Sequence, residues 1–479
     1  MTVQNSELFA AVKAVVLDAR AVVQEHLAAG KFVPTFSDWM KIDHFKSGFP
    51  HLVRDFDAKV FRFGELLGPR PNTWTPYGYE DWESFKELLA IVERDDRLGS
   101  YFGAHAQANV PDNFKRLFFL INVGEVPTQV FERTVHLHGP DFREEDIEPI
   151  YEEVETAILV EQLPIAIVVP IALTHFETPS VLPVADNVVI AKLLDDLQLA
   201  RARGSSSGAT VNQTVVNAAT HALVLLGWQM TSPNPFQPGP SDMGWYPAEI
   251  IDRFFDALRV VTGLETGYAQ AFVRPQGWAR SYTADLPPVV NGIAVRRYPA
   301  PFERYGWLDA RPPVTDDQIA EVAALYTNLA NAPDGGTLPL AAGRLSDAML
   351  RDNDRDSILD LVIGLEAILG DQTTTEVTHK LALRAAAVLA RLDEQAADPN
   401  QVFAAVKHIY GYRSAVAHGN ARNVARKQSI QVGEQEIRTV DLATTYLRRV
   451  IDALARRPEL AGGADIDRHV ILDALTVKE

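Results

Sequence analysis

The chain predicts an α+β fold, with an amino-terminal region of mixed helix and antiparallel sheet followed by a carboxy-terminal antiparallel all-α helical bundle. Three observations carry this. Between about 115 and 310, short apolar or alternating runs are separated by turn residues, which is the texture of strands. From about 316 to 456, apolar residues recur at helical spacing with short connections, and short connections in bundles favour antiparallel neighbours. The chain's 479 residues are too many for one ordinary core, so two or three domains are expected. The divisions fall at 1–110, mainly helical; 111–312, sheet-containing and regulatory; and 313–479, helical.

Taken in order, the first helix runs from Ser6 to Ala29 with Asn5 or Ser6 at its start. The amino-terminal stretch that contains it, MTVQNSELFAAVKAVVLDARAVVQEHLAAGK, lacks the basic start and apolar block of a signal peptide. An aromatic-rich segment from Phe32 to Phe49 follows, and then a helix from Tyr79 to Glu93. Strands are expected at 117–123 (LFFLINV), 130–137 (VFERTVHL), 165–173, 187–193, 222–230 and 266–273, with a helix over 248–261 between the last two. The most apolar stretch, Ala157 to Leu173, contains Glu161, Gln162, Pro164 and Pro170 and is short of a membrane span, so it reads as buried strand. GSSSG at 204–208 is a flexible loop inside this region. The better boundary is ARPPVT at 310–315, because an acidic helix start follows at Asp316–Asp317. From there helices are expected at 316–332, 338–350, 354–370, 376–392, 399–419 and 439–456.

Composition narrows the function classes. Hydrophobic residues make up 47% and charged residues 23% of the chain, which describes a soluble globular protein. There is no cysteine, which excludes disulfides, thiolate metal sites and a cysteine nucleophile and suits a reducing cytoplasm. A net charge of −18 argues against a general nucleic-acid coat protein, so contact with RNA or DNA requires a local basic surface. His136 and His138 in VHLHG would share one strand face, but no third ligand accompanies them, and a polar strand face is the better reading. The aromatic residues of 227–246 read as packing of a Pro-rich loop. No phosphate-cradling Gly-rich motif and no nucleophile elbow is present. Neither a metal nor another cofactor is expected.

The most informative residues lie at 399–433. Val402, Val406, Ile409 and Val416 fall on one side of a helix, and Arg413 points into the middle of that stripe. A guanidinium cannot shed its charge to escape burial, so a carboxylate, a phosphate or a solvated groove must meet it. His418 ends the helix before Gly419–Asn420, where the partial negative charge of the terminus favours a protonated imidazole. Five residues separate the two, so they converge only if the last turn unwinds or if two copies of the helix meet. No Asp or Glu occurs from Pro399 to Gly433, whereas Lys407, Arg422, Arg426 and Lys427 are all present. That is the local basic surface phosphate binding requires, and an exposed basic loop is the plainer alternative.

The runs SILDLVIGLEAILG, EVTHKLALRAAAVL and VKHIYGYRSAVAHGN, taken in that order, resemble the HEPN domains of the ApeA-like group. That group has an aliphatic helix ending in Leu-Glu-Ala, a helix with Arg-Ala-Ala, and an Arg-x4–6-His motif, here Arg413 to His418. The resemblance covers the last third of the chain. It implies metal-independent endoribonuclease chemistry at a homodimer interface, with Arg413 and His418 catalytic. His418 would move protons and Arg413 would grip non-bridging phosphate oxygens. Ser414 stands where many members carry Asn, Asp or His. Glu366 and Arg384 match the polar positions of the two preceding helices; they are expected to form a structural ion pair, or Glu366 to orient Arg413. The biological setting implied is a toxin or an anti-phage effector, with a phage-derived or cellular trigger acting on the amino-terminal two thirds. A non-catalytic RNA- or nucleotide-binding module remains open at this stage. So does a dimerisation scaffold with function in the amino-terminal region.

Overall fold

A computed structural model of the chain describes residues 3–67, 79–103, 111–178, 180–203, 211–232, 240, 243–333, 336–371, 376–460 and 462–476. The loop GSSSG at 204–208 and much of the Pro-rich aromatic loop lie outside these residues.

The first third is built of helices α1 (Ser6–Ala28), α2 (Glu83–Arg94), α3 (Asp96–Phe102), α4 (Asp112–His138) and α5 (Glu148–Leu159), with a hairpin of β1 (Met40–His44) and β2 (Pro50–Arg54) after α1. Asn5 caps α1 by accepting from the Leu8 amide, the short-range bond that makes Asn a good helix start. Leu8, Val12, Val15, Val16 and Val23 of α1 pack with Phe85, Leu88, Val130, Tyr151 and Val154 in one core. The expected strands at 117–123 and 130–137 are a correction, because both lie in α4. The dense β-branched and aromatic residues imitate strands over a short window. Over the full 27 residues, Val123, Val126, Val130 and Thr134 form one buried face at helical spacing. His136 and His138 therefore do not share a strand face. His136 lies 3.4 Å from Glu132 one turn back, and His138 3.9 Å from Asp146.

The middle of the chain supplies β3 (Gln162–Ala172), β4 (Leu182–Ala185), β5 (Val188–Lys192), α6 (Asp195–Arg203), α7 (Gln213–Asn217), β6 (His221–Thr231), α8 (Ala248–Thr262), β7 (Gly267–Pro275) and β8 (Val290–Arg297). The strands form one six-stranded sheet in the order β4-β5-β6-β3-β7-β8, and every pairing is antiparallel. Strand alternation sends Leu163, Ile165, Ile167, Val169 and Ile171 to one face. Val168, with Phe272 and Ala222, packs in a smaller cluster.

The remaining chain is helical: α9 (Asp316–Asn331), α10 (Thr337–Leu350), α11 (Asp354–Leu369), α12 (Val377–Arg391), α13 (Pro399–Ala417), α14 (Ala421–Lys427), α15 (Thr439–Ala455) and α16 (Gly463–Ile466). The six helices read from periodicity are all present. Thr315 and Gln318 close α9 with a reciprocal capping box. The all-α expectation needs one correction, a hairpin of β9 (Ser429–Val432) and β10 (Gln435–Arg438) between α14 and α15. Its two-residue loop opens on Gly433 at φ +61°, the glycine-first geometry that suits hairpin twist. Among the described residues no helix is long and apolar enough to cross a membrane.

The apolar clusters do not break at 110 or at 312. Phe102 and Val123 share the first core, and the Ile165 face of the sheet continues through α8 into α9–α15. In that seam Ser346 of α10 donates to the Asp256 carboxyl of α8. Burial pushes Asp256 up to about 6 against the bond from Ser346 and the nearby Arg259, with Asp252 and Asp347 adding to the rise. The folded state therefore holds this proton more tightly than the unfolded chain. The resulting stability is complete below about pH 4 and is lost as pH rises through about 6. Asp256→Asn should be more stable than wild type by about 1–3 kcal/mol above pH 7, with the gap closing towards pH 4. Thermal melts across that range test this, and a variant weaker than wild type at every pH would contradict it.

Candidate active site

Helix α13 starts at Asp398, whose side chain accepts from the Asn400 amide, and buries Val402, Val406, Ile409 and Tyr412. Val416 is half-buried, at the edge of the expected stripe. Packing against α11, α12, α14 and α15 leaves the end of α13 exposed, from Ala417 through Asn420. The helix closes at His418 in a Schellman arrangement: the Asn420 amide donates to the Ala415 carbonyl at 3.0 Å and Gly419 donates to Val416 at 3.1 Å. Gly419 takes φ +66° to do so, a conformation glycine adopts without strain.

Arg413 sits on the apolar stripe, half-buried. Among the described residues its Nε is buried without a hydrogen-bond partner, and its guanidinium carbon lies 5.7 Å from the centre of the Tyr410 ring. An N–H of a permanent cation, withdrawn from water and unanswered by protein, is costly unless a ligand meets it. His418 is exposed, and its ring makes no hydrogen bond or ion pair with a described residue. The helix is regular through Ala417, so Arg413 and His418 point about 140° apart around its axis. Within one chain no hydrogen bond joins the two side chains. Ser414 is half-buried and its carbonyl accepts from the His418 amide at 3.1 Å.

Glu366 and Arg384 are not an ion pair, which corrects the first expectation. Arg384 is buried and forms a fork to Asp467 at 2.8 and 2.7 Å, with a further bond to Asp371 at 2.8 Å. The half-buried Glu366 faces the Tyr410 hydroxyl instead. Burial first, then this carboxylate, which accepts from the hydroxyl, raise Tyr410, while Arg413 acts in the opposite direction. Tyr410 thus has both Glu366 and Arg413 close enough to act on it, a neighbour that periodicity alone did not reveal. Its placement three residues before Arg413 on the same helix is the signal that would have found it.

The basic flank is arranged around α13. Arg422 and Arg426 are exposed on α14, and Lys407 is exposed on α13. Lys427 lies across Gly411, where any added Cβ would collide with its ammonium, so glycine is what lets this cation approach the helix. The Lys427 carbonyl holds α14 to α13 by accepting from His408 at 3.1 Å. Burial pushes His408 down, and the positive charges of Lys427 and Arg426 add to the effect. Among the described residues no three His, Asp or Glu side chains are grouped to hold a metal ion. Comparison with protein-family models, curated proteins and solved structures gives no match.

Proposed function

We propose that the chain is a homodimeric endoribonuclease of HEPN type in which Arg413 of one copy and His418 of another complete each site. The observation that carries this is that no described residue answers the Nε of Arg413, on a helix end that is free of Asp and Glu in sequence and also presents an exposed imidazole. Phosphate is the ligand that best answers a guanidinium in such a place, because its oxygens accept the planar fork two at a time. Two copies are needed because one helix turns the two side chains apart.

In the proposed reaction the RNA 2′-oxygen attacks the adjacent phosphorus and gives up its proton, and the bond from phosphorus to the 5′-oxygen breaks. The leaving oxygen takes a proton, giving a 2′,3′-cyclic phosphate and a 5′-hydroxyl end. The His418 imidazole transfers a proton to or from a reacting oxygen. Arg413 stabilises the charge gathering on the non-bridging oxygens. The role as a toxin or anti-phage effector belongs to the same reading, with the α1–α5 core and the sheet as the regulatory part.

Purified chain incubated with end-labelled RNA in chelator should cut it and leave cyclic-phosphate ends. The rate should rise more steeply than linearly with protein concentration below the dimerisation constant. No cutting, cutting that chelator abolishes, or 3′-hydroxyl products would count against the proposal.

A further inference from the structure

We infer that the groove between the start of α12 and the outer face of α13 is a track for single-stranded RNA, taking the nucleotide next to the phosphate that Arg413 grips. The inference rests on the cleavage reading above and names the form of its substrate. The groove has a volume of about 620 Å³ and is lined by Glu376, Val377, Thr378, His379, Lys407 and Tyr410. Small-molecule sites occupy roughly 300–1,000 Å³, so a nucleotide fits where a duplex does not.

The chemistry of its walls is that of a strand site. Along α13 aromatic rings and cations alternate as Phe403, Lys407, Tyr410 and Arg413. Lys407 Nζ stands 5.4 Å from the centre of the Phe403 ring, and His379 meets that ring edge-on at 5.4 Å. A ring offers a face to any unstacked base, and a cation beside it neutralises the phosphate, which is how strands are held without reading sequence. Bases inside a duplex are stacked on each other and have no face to offer.

Continuity with Arg413 decides the assignment. Tyr410 lines the groove and also lies under the Arg413 guanidinium, so one ring is the wall between the two. A phosphate held by Arg413 leaves its neighbouring nucleotide over the groove. Lys407, about 9 Å back along the helix axis, is placed for the next phosphate. Of the nearby carboxylates, Glu376 is on the exposed rim, where salt and water screen it, and the charge of Glu366 is opposed by that of Arg413, since both act on Tyr410 with opposite sign.

The test uses a fluorescent 2′-O-methyl oligonucleotide, which lacks the attacking hydroxyl, so that anisotropy reads binding without cleavage. The strand should bind more tightly than a duplex of the same sequence. Tyr410→Ala should weaken it on the order of 5- to 100-fold, and Tyr410→Phe, which keeps the ring, should recover most of that loss. Lys407→Ala should reduce the slope of log affinity against log salt by about 0.7, the value for one phosphate contact to a single strand. No binding, equal binding of strand and duplex, or wild-type affinity in both alanine variants overturns the inference. A chain that cuts unmodified RNA while both variants bind normally loses the groove and keeps the cleavage reading. A chain that binds through the groove but never cuts has the reverse result.

Discussion

His418→Ala should lower the rate of RNA cleavage by on the order of 10²–10⁴ and leave RNA affinity close to wild type. Positioned proton transfer contributes about that factor, which is about 3–5 kcal/mol of barrier. The imidazole is exposed and makes no hydrogen bond or ion pair with a described residue, so its removal breaks no polar contact at the helix end. The Schellman bonds that close α13 are backbone bonds, and alanine keeps them. Arg413→Ala should lose both cleavage and phosphate contact, and Arg413→Lys should restore little, because an ammonium lacks the planar fork. Co-expressing the two alanine variants separates a shared site from a private one. If sites form across copies, a mixed dimer pairs the intact Arg413 of one chain with the intact His418 of the other and regains activity. Were each chain to build its own site, the mixture would stay as inactive as either variant. A His418→Ala chain that cuts as fast as wild type would falsify the mechanism.

The helical third was legible because burial there follows local spacing. Ile358, Leu361, Val362, Leu365 and Leu369 mark α11 and are all buried, and Gly419–Asn420 marks the end of α13. The placement of Arg413 on the stripe was readable for the same reason. What local spacing does not contain is the partner across space. Arg384 meets Asp467, 83 positions away, and nothing in either neighbourhood encodes that. Glu366 is met by a tyrosine hydroxyl where charge-matching reasoning looks for an arginine. The α4 error has a different cause. Runs such as LFFLINV satisfy strand preferences over seven residues, and only the longer window reveals the helical face through Val123, Val126 and Val130. The small hairpin at 429–438 carried its own signal in the alternation of Ile430, Val432 and Ile437 around Gly433, but its strands are too short to stand out beside a helix.

Arg384→Ala should destabilise the helical region by about 2–4 kcal/mol, the largest stability loss expected from any single substitution around the site. Arg384 is 2% exposed, and each of its guanidinium nitrogens has an acceptor. Nη1 donates to the Leu369 carbonyl at 2.8 Å, Nη2 to Asp371 at 2.8 Å, and Nε with Nη2 to the two oxygens of Asp467. It therefore satisfies a carbonyl at the end of α11, which has no partner within its own helix, and ties the segment after α16 to α12. These bonds to ionised partners outweigh burial and push Arg384 up. Gly463 is part of the same clamp, since a Cβ there would strike the Arg384 guanidinium. Breaking a fully buried pair costs about 3–5 kcal/mol. Asp467 keeps 43% of its side chain exposed, so solvent recovers part of that and the lower range is expected. In a melt the loss should appear as a shift of roughly 5–15 °C. Arg384→Lys should recover only part, because one ammonium cannot reach both carboxylates and the carbonyl with the fork's geometry. A double-mutant cycle with Asp467→Ala should give a coupling of about 1–3 kcal/mol. Limited proteolysis of Arg384→Ala should open the chain first near 463–476, where the clamp is released. A melting shift of less than a degree would mean that α16 and its neighbours are held by Ile466 and Val470 in the apolar core rather than by this fork.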